Sequence, residues 1–412
     1  MYCLVVHVPI LRPQIQTLVP TPPNSLSNTH LLVIVLAQFA GTSLWFAGNA
    51  ILPDIQPLLG SSSLNGWITS AVQLGFIVGS LLYALLAIPD RYPTVRVFLV
   101  SVVLAALCNA LLLFVPLQSV SVLLSRFGTG FFLAGVYPVG MKIAADWFRP
   151  VLGRAMGFLV GALVLGTALP HLIRGLGQSL SFQAVLLSVS GLAVAGGVAL
   201  VLVVPSKPVL LARHRFNRRA FALLWQPSAL RASVLGYVGH MWELYAVWAF
   251  LPTALTMYAG MHPSAAINPS VWAFGGIAAG FLGCTLGGMA AGRLGSGRVA
   301  LGQLAVSGGC TLLLPFMIQT PPAVFALYLL VYGATIAGDS PQLSTLVSIH
   351  VPAEVRGSLI TLVTCIGFSI TIVSIQALAV LLDRTGGSIW SFWLLVPGPV
   401  LGVWSLRTVA RK

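Results

Sequence analysis

Residues 182–204 read FQAVLLSVSGLAVAGGVALVLVV, 23 consecutive positions without a charge. A helix rises 1.5 Å per residue, so this stretch reaches across the roughly 30 Å hydrocarbon core of a bilayer. Hydrocarbon offers backbone groups no partner, so a spanning segment must be a helix or part of a closed barrel. The apolar run is continuous and has no period of two, which excludes the barrel. Outward from it lie eleven more stretches of the same kind, at 31–52, 65–88, 97–116, 120–143, 153–174, 232–258, 271–291, 299–318, 322–347, 355–381 and 387–406. The expected fold class is an all-α membrane protein with twelve transmembrane helices.

Composition agrees with this reading. Charged residues are 7% of the 412, against about 25% in a soluble domain. Hydrophobic residues are 58% and mean hydropathy is +0.97. So few charges cannot cover a soluble protein of this size, which excludes a soluble enzyme and a disordered chain. The net charge is +14, but its basic residues are scattered between apolar runs. A nucleic-acid partner would need them gathered on a polar face. Cys3, Cys108, Cys284, Cys310 and Cys365 have no paired spacing, so neither a disulfide nor a metal site is expected. No phosphate-binding Gly-Lys-Ser/Thr loop and no nucleophile–base pair is present. The chain is read as needing no cofactor and as not an enzyme.

The polar segments set the organisation. Residues 1–30 are broken by Pro9, Pro13, Pro20, Pro22 and Pro23 and lack a signal-peptide pattern, so a disordered tail is expected there. Residues 205–231 hold Lys207, Arg213, Arg215, Arg218, Arg219 and Arg231 without an acid, and read as a linker between 31–204 and 232–406, with a short tail at 407–412. With the N-terminus inside, 18 of the 21 basic residues fall in inner segments. Basic loops stay in the cytoplasm, so both termini are expected there, in a bacterial cytoplasmic membrane. The halves are related: Arg91 and Arg293, Arg96 and Arg298, Arg154 and Arg356, and Pro150 and Pro352 are each 202 residues apart. This gives two six-helix pseudo-repeats.

Three motifs point to one family. The loop after the second span has Gly79, then Asp90-Arg91-Tyr92-Pro93-Thr94-Val95-Arg96. Its second copy is Gly288-Met289-Ala290-Ala291-Gly292-Arg293-Leu294-Gly295-Ser296-Gly297-Arg298, and the fourth span carries Arg126-Phe127-Gly128-Thr129-Gly130. These resemble the major facilitator superfamily, whose fold is two parallel six-span repeats. The chain departs from the family pattern in its longer Gly79–Asp90 spacing, in Pro93 where a glycine is usual, and in Gly292 where an Asp is usual. The resemblance implies a cytoplasmic gate at Asp90, Arg91, Arg96, Arg293, Arg298 and Asp146, with Asp90 latching onto the opposite domain. The runs His240-Met241-Trp242-Glu243-Leu244-Tyr245 and Ala134-Gly135-Val136-Tyr137-Pro138-Val139-Gly140-Met141-Lys142 are similar to a bacterial branch related to cyanate and nitrate permeases. The arginines that nitrate porters carry in the second and eighth spans are missing from 65–88 and 271–291.

Charges inside spans are expensive and mark pathways. Arg126 is read as a pathway residue, with snorkelling to the near interface as the alternative. His240 and Glu243 are three apart and share a helix face. They read as a proton-coupling pair or as a static helix clamp. Asp339 precedes Pro341, which cannot donate to the carbonyl of Ala337 and so opens the helix. It lines a cavity or belongs to an inner gate. Gln38, Trp45, His171 and Tyr245 complete the candidate pathway.

The expected function is a secondary transporter. It moves a small anionic or zwitterionic solute with protons, by alternating access between a cationic wall (Arg126, His171, Arg174) and an acidic wall (Glu243, Asp339). A proton-linked efflux pump for amphipathic compounds and a non-transporting membrane sensor are the alternatives. The expected partners are the solute, the proton and the lipid bilayer.

Overall fold

The computed structural model describes residues 27–59, 64–148, 152–177, 180–206, 223, 224, 226, 228–351 and 355–410. Residues 1–26 of the tail expected at 1–30, residues 207–222 of the linker and the last two residues lie outside the described residues, whereas residues 28–30 open the first helix and residues 228–231 of the expected linker open the helix that follows it.

The described chain is helical throughout. In order the helices are α1 (Asn28–Thr42), α2 (Ala47–Ala50), α3 (Leu52–Leu59), α4 (Leu64–Leu85), α5 (Ile88–Arg91), α6 (Thr94–Ala110), α7 (Ser119–Leu133), α8 (Tyr137–Trp147), α9 (Leu152–Leu176) and α10 (Phe182–Val203). The second half adds α11 (Ser228–Met261), α12 (Pro269–Leu294), α13 (Ser296–Met317), α14 (Pro322–Gly338), α15 (Ser340–Ile349), α16 (Arg356–Arg384) and α17 (Pro397–Ala410). Eleven segments are long and apolar enough to cross a membrane, α7 with α8 and α14 with α15 each counting once, and α1 is a shorter apolar helix. The helix starts repeat: α13 begins 202 residues after α6, and α14 begins 203 after α7.

Spans 1, 4 and 10 are interrupted. The sequence reads 31–52 as one helix, but α1 stops at Thr42. There the Thr42 hydroxyl donates to the Gln38 carbonyl (2.8 Å) and the Ser43 hydroxyl to Ala40 (2.7 Å). Side-chain hydroxyls that bond the preceding turn compete with helical amides. Spans 4 and 10 break ahead of Pro138 and Pro341, which lie 203 residues apart, because each proline removes a helical donor. The sulfhydryl of Cys284 takes up the Ala337 carbonyl at the second break (3.3 Å).

The packing repeats as well. A Cβ on Gly130 would run into the carbonyl of Val72, and one on Gly333 into that of Gly276. Gly79 meets the Phe131 carbonyl as Gly283 meets that of Ala334. Backbones therefore touch between α4 and α7 and again between α12 and α14, the close approach that small residues permit in membranes.

The halves of the chain join along two seams. On one, α4 meets α16, where Gln376 donates to Ser70 (2.8 Å). On the other, α9 meets α12, where Gly161 faces the Phe281 ring and Gly175 faces Val271. Asn268 donates to the Gly175 carbonyl there (2.9 Å). These two polar links lie at the end of the molecule that also holds the Asp54–Arg174 ion pair (2.6 Å). The opposite, basic end carries Asp90 and Lys142.

Candidate functional site

Near the middle of the seams, six buried rings meet. Trp45 and Phe46 come from the break after α1, Phe76 from α4, Tyr245 and Trp248 from α11, and Phe368 from α16. Trp45 stacks on Tyr245 (5.9 Å) and Phe368 (5.6 Å), Phe46 on Tyr245 (6.2 Å), and Phe76 approaches Phe368 (4.6 Å). Each of these contacts crosses between the halves. The rings hold one another through offset and edge contacts, worth about 0.5–1.5 kcal/mol per pair beyond area burial. Trp45 and Tyr245 were legible in the sequence, whereas Phe76, Trp248 and Phe368 were not.

Arg126 lies beside this cluster in the first half. Its side chain is fully buried, so it does not snorkel. One guanidinium nitrogen donates to the carbonyl of Leu44, freed by the break in span 1 (3.3 Å). The other donates to Asn109 and to the Thr129 hydroxyl (3.3 Å). Asn109 is itself anchored, donating to Ser190 (2.9 Å). The Nε–H of Arg126 has no partner among the described residues. The described hydrogen bonds of Arg126 all end in the first half, and none reaches Glu243 or Asp339.

Glu243 occupies a matching place in the second half and is also fully buried. Ser307 donates to one carboxyl oxygen (2.9 Å), and Thr311 and Tyr332 (3.4 Å) donate to the other. Thr311 lies 202 residues after Asn109 and Tyr332 lies 203 after Thr129, the offsets that relate the helix starts. Neither Ser307, Thr311 nor Tyr332 was singled out by motif. The signal that could have found them was the repeat register itself.

His240 shares a helix face with Glu243 but binds elsewhere. Its Nδ1 is 2.9 Å from Asp339 Oδ1, and its Nε2 is 2.7 Å from the Ser340 hydroxyl. The contact with Asp339 is close but poorly aligned for a hydrogen bond. His240 and Asp339 are 1% and 0% exposed, so both are cut off from solvent.

The remaining candidates are spread out. Gln38 is buried against Gly140, with no partner for its amide among the described residues. His171 is buried on α9, three residues before Arg174. At the basic end, Asp90 binds Lys142 of α8 (2.9 Å), so its ion pair stays in the first half instead of latching the second. The helix that follows this loop, α6, packs on α8, which brings Lys142 within reach of Asp90. Arg91, Arg96 and Arg293 are exposed there, Arg298 donates to the Ala410 carbonyl (3.2 Å), and Asp146 is half-buried.

Known proteins resemble most of this chain. Residues 33–375 match the family model of the Major Facilitator Superfamily. The 3-(3-hydroxy-phenyl)propionate transporter of Escherichia coli (strain K12) is 26% identical over 261 residues, 60% of this chain and 62% of that transporter, so under two thirds of its length is matched. A crystal structure of a mutant of the nucleoside transporter NupG superposes with a TM-score of 0.71 at 16% identity, covering 93% of this chain and 99% of that one. At that identity the likeness concerns the fold.

Proposed function

The chain belongs to the Major Facilitator Superfamily, and from that premise we propose that it is a secondary transporter for a small aromatic carboxylate, coupled to protons. Residues 31–204 rock against 232–406 about the aromatic cluster, with both termini in the cytoplasm. The observation that carries the substrate class is Arg126. A buried cation costs several kcal/mol unless it is paired. Among the described residues its partners are a carbonyl, an amide and a hydroxyl, all of them neutral, and its Nε–H has none. A carboxylate would supply the missing charge, and a planar guanidinium suits it. The neighbouring rings would take the apolar body of an aryl acid. The similarity to a transporter of an aryl propionate supports the same class. Of the amphipathic compounds that the alternative efflux reading would carry, a cationic one is disfavoured beside an uncompensated arginine.

Thermal melting of the purified protein tests this. Binding to the folded state raises its apparent stability. 3-Phenylpropionate is expected to raise the melting temperature and benzylamine to leave it unchanged. A shift with the amine and none with the acid contradicts the proposal.

A further inference from the structure

We propose that His240 and Asp339 form the coupling site, taking up one proton for each carboxylate carried. This rests on the reading of the chain as a carboxylate transporter and assigns the proton site within it.

The internal repeat supplies a control. The first half builds the same proline break in span 4 with Val136, which lies 203 residues before Asp339. There span 1 presents the neutral Gln38, packed against Gly140. A break of this kind therefore forms without charge, and the His–Asp pair that links span 7 to the break in span 10 is an addition that such a break does not require. Buried ionisable groups in a membrane are costly, so an addition of this kind points to a pathway role.

Position separates the pair from Glu243. The three hydrogen-bond partners of Glu243 among the described residues are hydroxyls on two continuous stretches of helix, α13 and α14. Those bonds can be made by a neutral or an ionised carboxyl and tie three helices together. Asp339, by contrast, sits in the one-residue gap between α14 and α15, with the Leu343 amide bonded to its carbonyl (2.9 Å). Its side chain reaches the imidazole on α11, and Ser340 holds the far ring nitrogen. Making or breaking the contact alters the link between span 7 and the break in span 10.

Around the pair, the titratable groups among the described residues are Glu243 and Tyr237 on α11, Cys284 on α12 and, from the first half, Tyr137. None carries a fixed positive charge. The charge balance is then simple. A pair that holds one proton is neutral overall. A bound carboxylate adds one negative charge to the cavity. One further proton, taken up on the Asp339 carboxylate, offsets that charge and removes the attraction between the partners. Deprotonation on the other side restores it.

Proteoliposomes loaded and assayed with 3-phenylpropionate test the assignment. Gradient-driven accumulation and counterflow exchange are measured in the wild type, Asp339→Asn, His240→Gln and Glu243→Gln. In Asp339→Asn and His240→Gln, accumulation is expected to fall at least tenfold more than exchange does. In Glu243→Gln the two should change together. Loss of accumulation alone in Glu243→Gln, with accumulation kept in Asp339→Asn, overturns the proposal. Infrared difference spectra between pH 5 and pH 9 need no substrate and separate the two readings. A carboxyl band that appears on acidification, is lost in Asp339→Asn and is kept in Glu243→Gln supports the site even if 3-phenylpropionate is not carried. A band that survives in Asp339→Asn, or no band in the wild type, overturns it.

Discussion

The two halves bury opposite charges at equivalent nodes. In the first half Arg126 is held by Asn109, Thr129 and a carbonyl. In the second, Thr311 and Tyr332 stand at the positions of Asn109 and Thr129 and hold Glu243. Duplication explains the shared framework of polar side chains between spans 3 and 4 and between spans 9 and 10. It does not explain the sign. The acid has three hydroxyl donors and can be neutral, whereas the guanidinium stays charged and keeps one donor without a partner among the described residues. The difference matches the proposed roles, a mechanical node at Glu243 and a carboxylate-binding node at Arg126.

The largest effect should come from the framework the nodes share. Gly130→Leu and Gly333→Leu each drive a side chain into a backbone carbonyl, so both are expected to abolish folded protein in detergent, read by size-exclusion chromatography. Survival of one and not the other would break the equivalence. Next, Arg126→Ala should weaken binding of 3-phenylpropionate about 100-fold, roughly 2.7 kcal/mol, as expected for losing a charge-assisted contact. Glu243→Gln should change it less than threefold in the same calorimetric titration. Equal losses would erase the distinction between the nodes. The smallest effect belongs to the basic end. Asp90→Asn removes a half-exposed ion pair and should cost less than about 1 kcal/mol in thermal unfolding.

The spans were legible because the need for apolar length leaves little freedom: 182–204 was read from sequence against Phe182–Val203 in the structure. The break after Thr42 was not, since it depends on hydroxyls bonding their own helix and on an arginine arriving from span 4. Intramembrane charge singled out Arg126, His240, Glu243 and Asp339. Their pairing was hidden, because spacing along one helix put His240 with Glu243 while the break in span 10 brought Asp339 closer. The neutral partners Ser307 and Thr311 carry no signal by type, as hydroxyls are common in spans. Phe76 and Phe368 were invisible for a similar reason: aromatic residues inside spans ordinarily only pack, and these meet across a seam 292 residues apart in sequence.

The most direct test is uptake of radiolabelled 3-phenylpropionate into proteoliposomes under an imposed proton gradient, comparing the wild type with Arg126→Ala. Accumulation above the equilibrium level in the wild type, falling to the protein-free background in Arg126→Ala, is the expected result. Accumulation that persists at the wild-type rate without Arg126, or a wild type that never exceeds background, would contradict a carboxylate site built on that buried arginine.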